Sequence, residues 1–163
     1  MSMYELCEWL QNTRLGTAIG EHPWLFPTFE TVHVLALTLV MGSIAVVDLR
    51  LLGWASTKVS VKQLTDETLP YTWIAFVVAA ISGALLFTSN ATTYYNSIHY
   101  RIKFVLLALA GINMLIFHLG EFRNAARWAQ DVKPPAAARL AGGLSLMLWI
   151  GVVTFGRLVG FFV

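Results

Sequence analysis

The chain has 163 residues, 57% of them hydrophobic and 12% charged, with a net charge of +2 and a mean hydropathy of +0.66. A soluble domain carries about 25% charged residues, so this composition excludes a water-soluble globule, and the few scattered cations exclude nucleic acid as a partner. Cys7 is the only cysteine, which excludes an intrachain disulfide and a thiolate metal cluster within one chain. What remains is one membrane domain, residues 1–163, of the all-α class: a four-helix bundle preceded by an amphipathic interfacial helix.

Residues 1–22 lack a basic start followed by an apolar core, so they are not read as a signal peptide. Met3, Leu6, Cys7 and Leu10 share one helical face, with Glu5, Glu8 and Asn12 on the others. That pattern predicts a helix lying in the outer membrane–water interface, or packed on another subunit. A span needs roughly 20 apolar residues. The first is expected over about 25–48, with Pro23 and Pro27 at its start and Asp48-Leu49-Arg50 at its exit. The second covers 70–89, opened by Pro70, where a missing N–H costs little, and closed by Ser89-Asn90 and the polar run to Asn96. The third covers 101–120 and runs on as a polar helix, Glu121 to Gln130. Pro134-Pro135 break that helix before the fourth, 138–162.

Arg50, Lys58 and Lys62 follow the first span, and Arg123, Arg127, Lys133 and Arg139 follow the third. By the positive-inside rule both loops face the cytoplasm and both termini face outward. Trp24, Tyr94, Tyr95 and Tyr100 then fall at the outer interface and Trp54, Trp73 and Trp128 at the inner one, while Trp149 falls mid-span and reads as packing. Small residues at Gly42-Ser43, Ser82-Gly83-Ala84, Ala141-Gly142-Gly143 and the pair Gly156 and Gly160 let helices approach closely, within the bundle or between copies.

The histidines carry whatever chemistry the chain has. His22 precedes the first span, His33 lies two to three turns into it, His99 sits just outside the third, and His118 lies near the inner end of the third. Neutral imidazole suits iron, copper and zinc, and facing helices of a bundle are a usual place for haem. Taking Asp48 and Glu121 as inner-interface markers and ~1.5 Å per residue, His33 and His118 differ in depth by roughly 18 Å. They cannot ligate one metal. His99 lies roughly 10 Å further out than His33 by the same rise, a gap that a tilted or partly unwound start to the third span closes, and His22 lies nearer to it in depth. The expected outer site therefore uses His33 or His22 with His99, the metal pair being His33 and His99, with a separate inner role for His118.

Glu30, on the face of His33, reads as an acceptor that orients the imidazole or as half of a proton path. Arg101, Lys103 and Arg157 gather at the outer level, where haem propionates would need cations, or simply snorkel. His118 reads as an interfacial side chain bonding a carbonyl or headgroup. Gly111, on almost the same face, leaves a slot for a flat ring. Asn113 reads as an interhelical hydrogen bond.

The runs His33-Val-Leu-Ala, Met41-Gly42-Ser43 and Asp48-Leu49-Arg50-Leu51-Leu52-Gly53 resemble a family of small four-span bacterial inner-membrane proteins with no assigned function. His33, with Lys103 and Asn113, also resembles the membrane domain of copper-resistance protein D. More distantly the layout is similar to b-type cytochromes and the membrane protoporphyrinogen oxidase. The resemblance implies a multi-pass protein of the bacterial inner membrane with periplasmic termini, with His33 the position most directly carried over to a haem or copper role.

Three functions follow. The first is a b-type cytochrome passing electrons between the quinone pool and a periplasmic redox protein, alone or in a larger complex. Haem b would be held by His33 with His99 or His22, and its propionates by Arg157 and Arg101. The second is copper or proton handling through Glu30, His33 and Met41, although soft Cu(I) favours methionine clusters and cysteine pairs that the chain lacks. The third is a cofactor-free accessory subunit. No Gly-x-Ser-x-Gly, phosphate loop or His-Glu-x-x-His is present, so no independent enzyme active site is expected.

Overall fold

The computed structural model describes residues 2–120, 122–123 and 134–162. Most of the polar helix expected over Glu121 to Gln130, with Trp128, Arg127 and Lys133, lies outside the described residues. Those described form helices and no strand: α1 (Met3–Gln11), α2 (Arg14–Glu21), α3 (Leu25–Leu52), α4 (Val61–Ser89), α5 (Ala91–Asn96), α6 (Ile98–Leu119) and α7 (Ala136–Phe162). Four of them, α3, α4, α6 and α7, are long and apolar enough to cross a membrane. The chain is thus an all-α, multi-pass membrane bundle.

The N-terminal helix expected over 1–22 is two helices. A capping box starts α1: the Ser2 hydroxyl accepts from the Glu5 N–H (3.2 Å) and the Ser2 N–H donates to Glu5 Oε2 (2.7 Å). Thr13 then breaks the run, because its hydroxyl donates to the Leu10 carbonyl (2.7 Å) and accepts from the Gly16 N–H (3.2 Å), closing one helix and capping the next. The pair folds onto the end of the bundle that carries both termini. There Gln11 Oε1 accepts from the N–H and hydroxyl of Thr92 (3.1 and 2.8 Å). Gly16 sits so close to α4 that an added Cβ would lie 2.8 Å from the Thr88 carbonyl oxygen. Cys7 and Ile19 are buried beneath this cap, and Met3, Tyr4, Trp9 and Leu15 stay exposed on it.

At the opposite, loop end, α3 runs four residues past the expected exit at Asp48. Gly53, at φ 76°, ends it in the left-handed conformation that a side chain would oppose. Arg50 is not a free loop charge: it is 2% exposed, and its Nε donates to the Val59 carbonyl (2.7 Å), pinning the connection to α4. Pro70 does not open α4 but lies inside it, on an exposed face. The helix starts at Val61, after the Ser60 cap, because its polar first turns are held by i,i+4 pairs, Lys62 with Asp66 and Gln63 with Glu67 (2.9 Å).

The spans pack in the order α4–α3–α7–α6, and α4 and α6 share no packed seam. Val40, Ala75, Ala110, Leu148, Trp149 and Val152 form the core, drawing on all four, and Trp149 is a packing residue as its depth implied. Leu51, Val61, Phe117 and Ala138 form a second cluster toward the loop end. Gly142 lets α7 meet α3, since a Cβ there would lie 2.9 Å from Leu51 Cβ and 3.1 Å from the Asp48 carbonyl oxygen. Gly42 and Gly160 face open space and make no such approach. Asn113 Nδ2 donates to the Ala141 carbonyl (3.0 Å), the interhelical bond its position implied.

Candidate functional site

The outer candidates of the sequence are dispersed among different partners. His33 points from α3 onto α4, where its Nδ1 donates to the Ala79 carbonyl (2.8 Å) with the Ser82 hydroxyl 3.2 Å away. Gly83 makes room for the ring: a Cβ there would lie 2.8 Å from His33 Cε1. The orienting partner expected in Glu30 is therefore the α4 backbone. Glu30 instead faces Tyr94 of α5, whose phenol is pushed above its ordinary pKa, first by burial and then by that carboxylate. His99 belongs to the α6–α7 seam, stacked on Phe162 (5.0 Å, 16°) and tilted against Phe155 (6.3 Å). No contact joins it to His33.

His22 caps α2 on the exposed surface, its Nδ1 accepting from the Trp24 N–H (3.3 Å). Arg101 turns back on Tyr95, donating from Nε to its carbonyl (3.0 Å) with its guanidinium over the ring (5.2 Å). Arg157 lies over Phe161 (5.4 Å). Lys103 packs its stem on Gly156, its Nζ 3.5 Å from where a Cβ would sit, in the neighbourhood of His33. Among the described residues no three or more His, Cys, Asp or Glu side chains are grouped to hold a metal ion.

The loop half of the bundle holds a built site. Where α4 and α6 diverge, a cavity of about 250 Å³ opens between them, floored by α3 and α7. Its walls are apolar and aromatic, with Trp73 and Phe76 from α4, Met114 and Phe117 from α6, and Trp149 from α7. Trp73 and Met114 are 48% and 38% exposed on the lipid-facing surface, so they stand at its rim.

Three buried side-chain atoms have no hydrogen-bond partner among the described residues: Asp48 Oδ2, Thr65 Oγ1 and His118 Nε2. All three residues line this cavity. An unpartnered buried polar atom costs about 1–3 kcal/mol. Thr65 is distinctive within its own helix: Thr68 donates to the carbonyl four residues back (2.5 Å) and Thr72 donates to the Ser43 hydroxyl (2.8 Å), whereas the Thr65 hydroxyl has no partner among the described residues.

His118 is fixed in one tautomer. Its Nδ1 lies 3.0 Å from the Met114 carbonyl oxygen, which only accepts, so Nδ1 carries the proton and Nε2 of the neutral ring presents a lone pair. Asp48 is 5% exposed, with Ser145 of α7 at its carboxyl. Gly111, whose Cβ position faces open space, lines the same cavity. Asp48 was read only as a span marker, and Thr65 and Ser145 carried no signal of their own. The arrangement can accept hydrogen bonds at two points and exchange one at a third, inside an apolar wall.

No curated protein matches the chain, and no solved structure does. The likenesses to copper-resistance protein D and to b-type cytochromes gain no support from these searches. A family model does match, over residues 6–162, nearly the whole bundle described above. The chain belongs to that family, DUF6644, a family of unknown function.

Proposed function

We propose that this protein is a membrane redox component that takes a quinone-class ring from the bilayer into the cavity between α4 and α6. One observation carries the reading: the three buried polar atoms without partners converge on a single apolar cavity. A pocket with apolar walls and a few converging polar groups is the usual form of a small-molecule site. Its volume of about 250 Å³ lies near the small end of such sites and suits one substituted ring. The gap between α4 and α6 leaves an apolar tail in the lipid. The inner membrane, a cytoplasmic loop end and a periplasmic redox partner belong to the same proposal. The test is lipid extraction from protein purified in mild detergent, followed by chromatography for benzoquinones and naphthoquinones. Quinone retained near one per chain, and lost in the double variant Asp48→Leu, Thr65→Val, supports the reading; none retained or rebound refutes it.

A haem b at the terminal end is a second reading, favoured by His33. Its Nδ1 is held by the Ala79 carbonyl, the tautomer in which Nε2 is a ligand, and Lys103 lies where a propionate would need a cation. Haem there would supply one-electron transfer toward the periplasmic side, with His33 ligating and α4 fixing the ring. A reduced-minus-oxidised spectrum with a pyridine haemochrome assay decides it: b-type bands lost in His33→Ala support it, and a featureless spectrum from haem-replete cells removes it. Copper bound by Glu30, His33 and Met41 would appear in metal analysis of the same sample.

A further inference from the structure

The hydrogen-bonding polarity of the cavity selects the oxidation state of its ligand. This step rests on the ring-binding reading above. A quinone presents carbonyl oxygens that only accept; a hydroquinone presents hydroxyls that donate. In the neutral imidazole, His118 Nε2 can only accept, because Nδ1 spends the ring's one proton on the Met114 carbonyl. Asp48 Oδ2 only accepts when the carboxylate is ionised; a protonated carboxyl gains one O–H donor and keeps accepting capacity, so the polarity of the cavity is set first by His118. Thr65 can do either. A carbonyl placed against His118 leaves both groups unpaired, lone pair facing lone pair, while a hydroxyl satisfies both.

Donors elsewhere in the lining do not by themselves favour either form, because a hydroquinone hydroxyl accepts as well as donates. Among the described residues no Lys or Arg lines the cavity, and the lining side chains that carry N–H groups are Asn113, whose amide donates to the Ala141 carbonyl, His118 itself, and the indoles of Trp73 and Trp149. Ser145 stands at the Asp48 carboxyl from α7.

We infer that the cavity formed by Asp48, Thr65 and His118 binds the reduced, hydroxyl-bearing form of a quinone-class ring in preference to the oxidised form. A tenfold preference raises the midpoint potential of the bound two-electron couple by about 30 mV relative to the free pool. The site would thus draw hydroquinone from the bilayer and hold it as a weaker reductant than the free pool.

The experiment is isothermal titration of the full chain in lipid nanodiscs, under argon, with a decyl-tailed benzoquinone and with its borohydride-reduced hydroquinone. The expected result is at least tenfold tighter binding of the hydroquinone. In His118→Gln, whose amide donates as well as accepts, the ratio should fall below about threefold, because the polarity that sets it is gone. Asp48→Asn, which turns an acceptor oxygen into a donor, should lower the ratio by an independent route should His118→Gln fail to fold. Equal or tighter binding of the oxidised form by the unaltered protein overturns the preference while leaving the ring site standing. A tenfold ratio that survives in both folded variants also overturns it. Binding of neither form overturns the ring site as well.

Discussion

Thr65→Val is the perturbation that best separates a ligand site from a packing flaw. Thr65 is 3% exposed and its hydroxyl has no partner among the described residues, although the next threonine of the helix, Thr68, bonds back to the carbonyl ladder. A buried unpaired hydroxyl costs about 1–3 kcal/mol. Valine keeps the branched shape, removes the polar atom and has nearly the same helix propensity. The ligand-free variant should therefore be more stable than the parent by about 1 kcal/mol, the low end of that range.

Thr72→Val supplies a contrast of opposite sign. Its hydroxyl donates to Ser43 across the α3–α4 seam (2.8 Å), so its loss should destabilise by about 0.5–1.5 kcal/mol. Unfolding of the delipidated proteins in mixed detergent micelles measures both. A saturating ring ligand, at 100 times its dissociation constant, stabilises by about 2.7 kcal/mol, and that gain should shrink in Thr65→Val at the same ligand concentration. If Thr65→Val instead destabilises as Thr72→Val does, the hydroxyl is a structural bond and the site loses one of its three anchors. Unchanged ligand protection would refute its role in binding.

Other substitutions test the rest of the architecture. Gly83→Ala puts a methyl 2.8 Å from His33 Cε1 and must displace a ring tied to Ala79; a loss of about 1–3 kcal/mol in the same unfolding assay is expected, and an unchanged midpoint would show the ring to be loosely held. Gly16→Ala drives a Cβ to 2.5 Å from the Gln11 carbonyl oxygen and 2.8 Å from that of Thr88, so the α1–α2 cap should lift from α4 and trypsin should cut at exposed Arg14 faster; Gly20→Ala, whose nearest atom is the Ser89 carbonyl oxygen at 3.4 Å, should cut at the parental rate. The raised pKa of Tyr94 keeps it neutral in the folded state after the unfolded chain ionises near pH ~10. Its contribution is complete below that pH and is lost as pH rises from there through the higher folded value. Tyr94→Phe should flatten the alkaline decline of stability above about pH 10, and an identical decline would separate that loss from this phenol.

The spans were legible because hydropathy is averaged over roughly 20 residues, and local ambiguity cancels over such a window. Their ends were less so. Val61 to Leu69 reads as a polar loop when residues are weighed singly, yet Lys62 with Asp66 and Gln63 with Glu67 make it the start of α4. Thr13 is a visible N-cap residue, but its division of the N-terminal helix depends on its hydroxyl also closing α1. The position of Asp48 shows most clearly what was readable and missed. A charge was taken as the end of the span, whereas Gly53 marks it. Reading the glycine first places Asp48 more than one turn inside α3, where an ionisable group is a functional hypothesis by default.

No spacing along the chain could have assembled the cavity, since its three unpartnered atoms come from α3, α4 and α6, and their residues line one cavity because α4 and α6 do not pack on each other. Their distribution is the physical argument for function. Toward the terminal end, His33, His99, Arg101 and Arg157 each have a neighbour that answers them: a backbone carbonyl, a stacked ring, a carbonyl with an aromatic face, an aromatic face. A bundle that merely tolerated imperfect pairing would leave orphans on separate seams, each free to relax toward a carbonyl as Thr68 does. Here the unpaired atoms share one apolar-walled cavity, and one of them declines the carbonyl bond that Thr68 makes in the same helix. Each is costly when buried alone, and a single ring with polar substituents entering from the lipid can relieve them together.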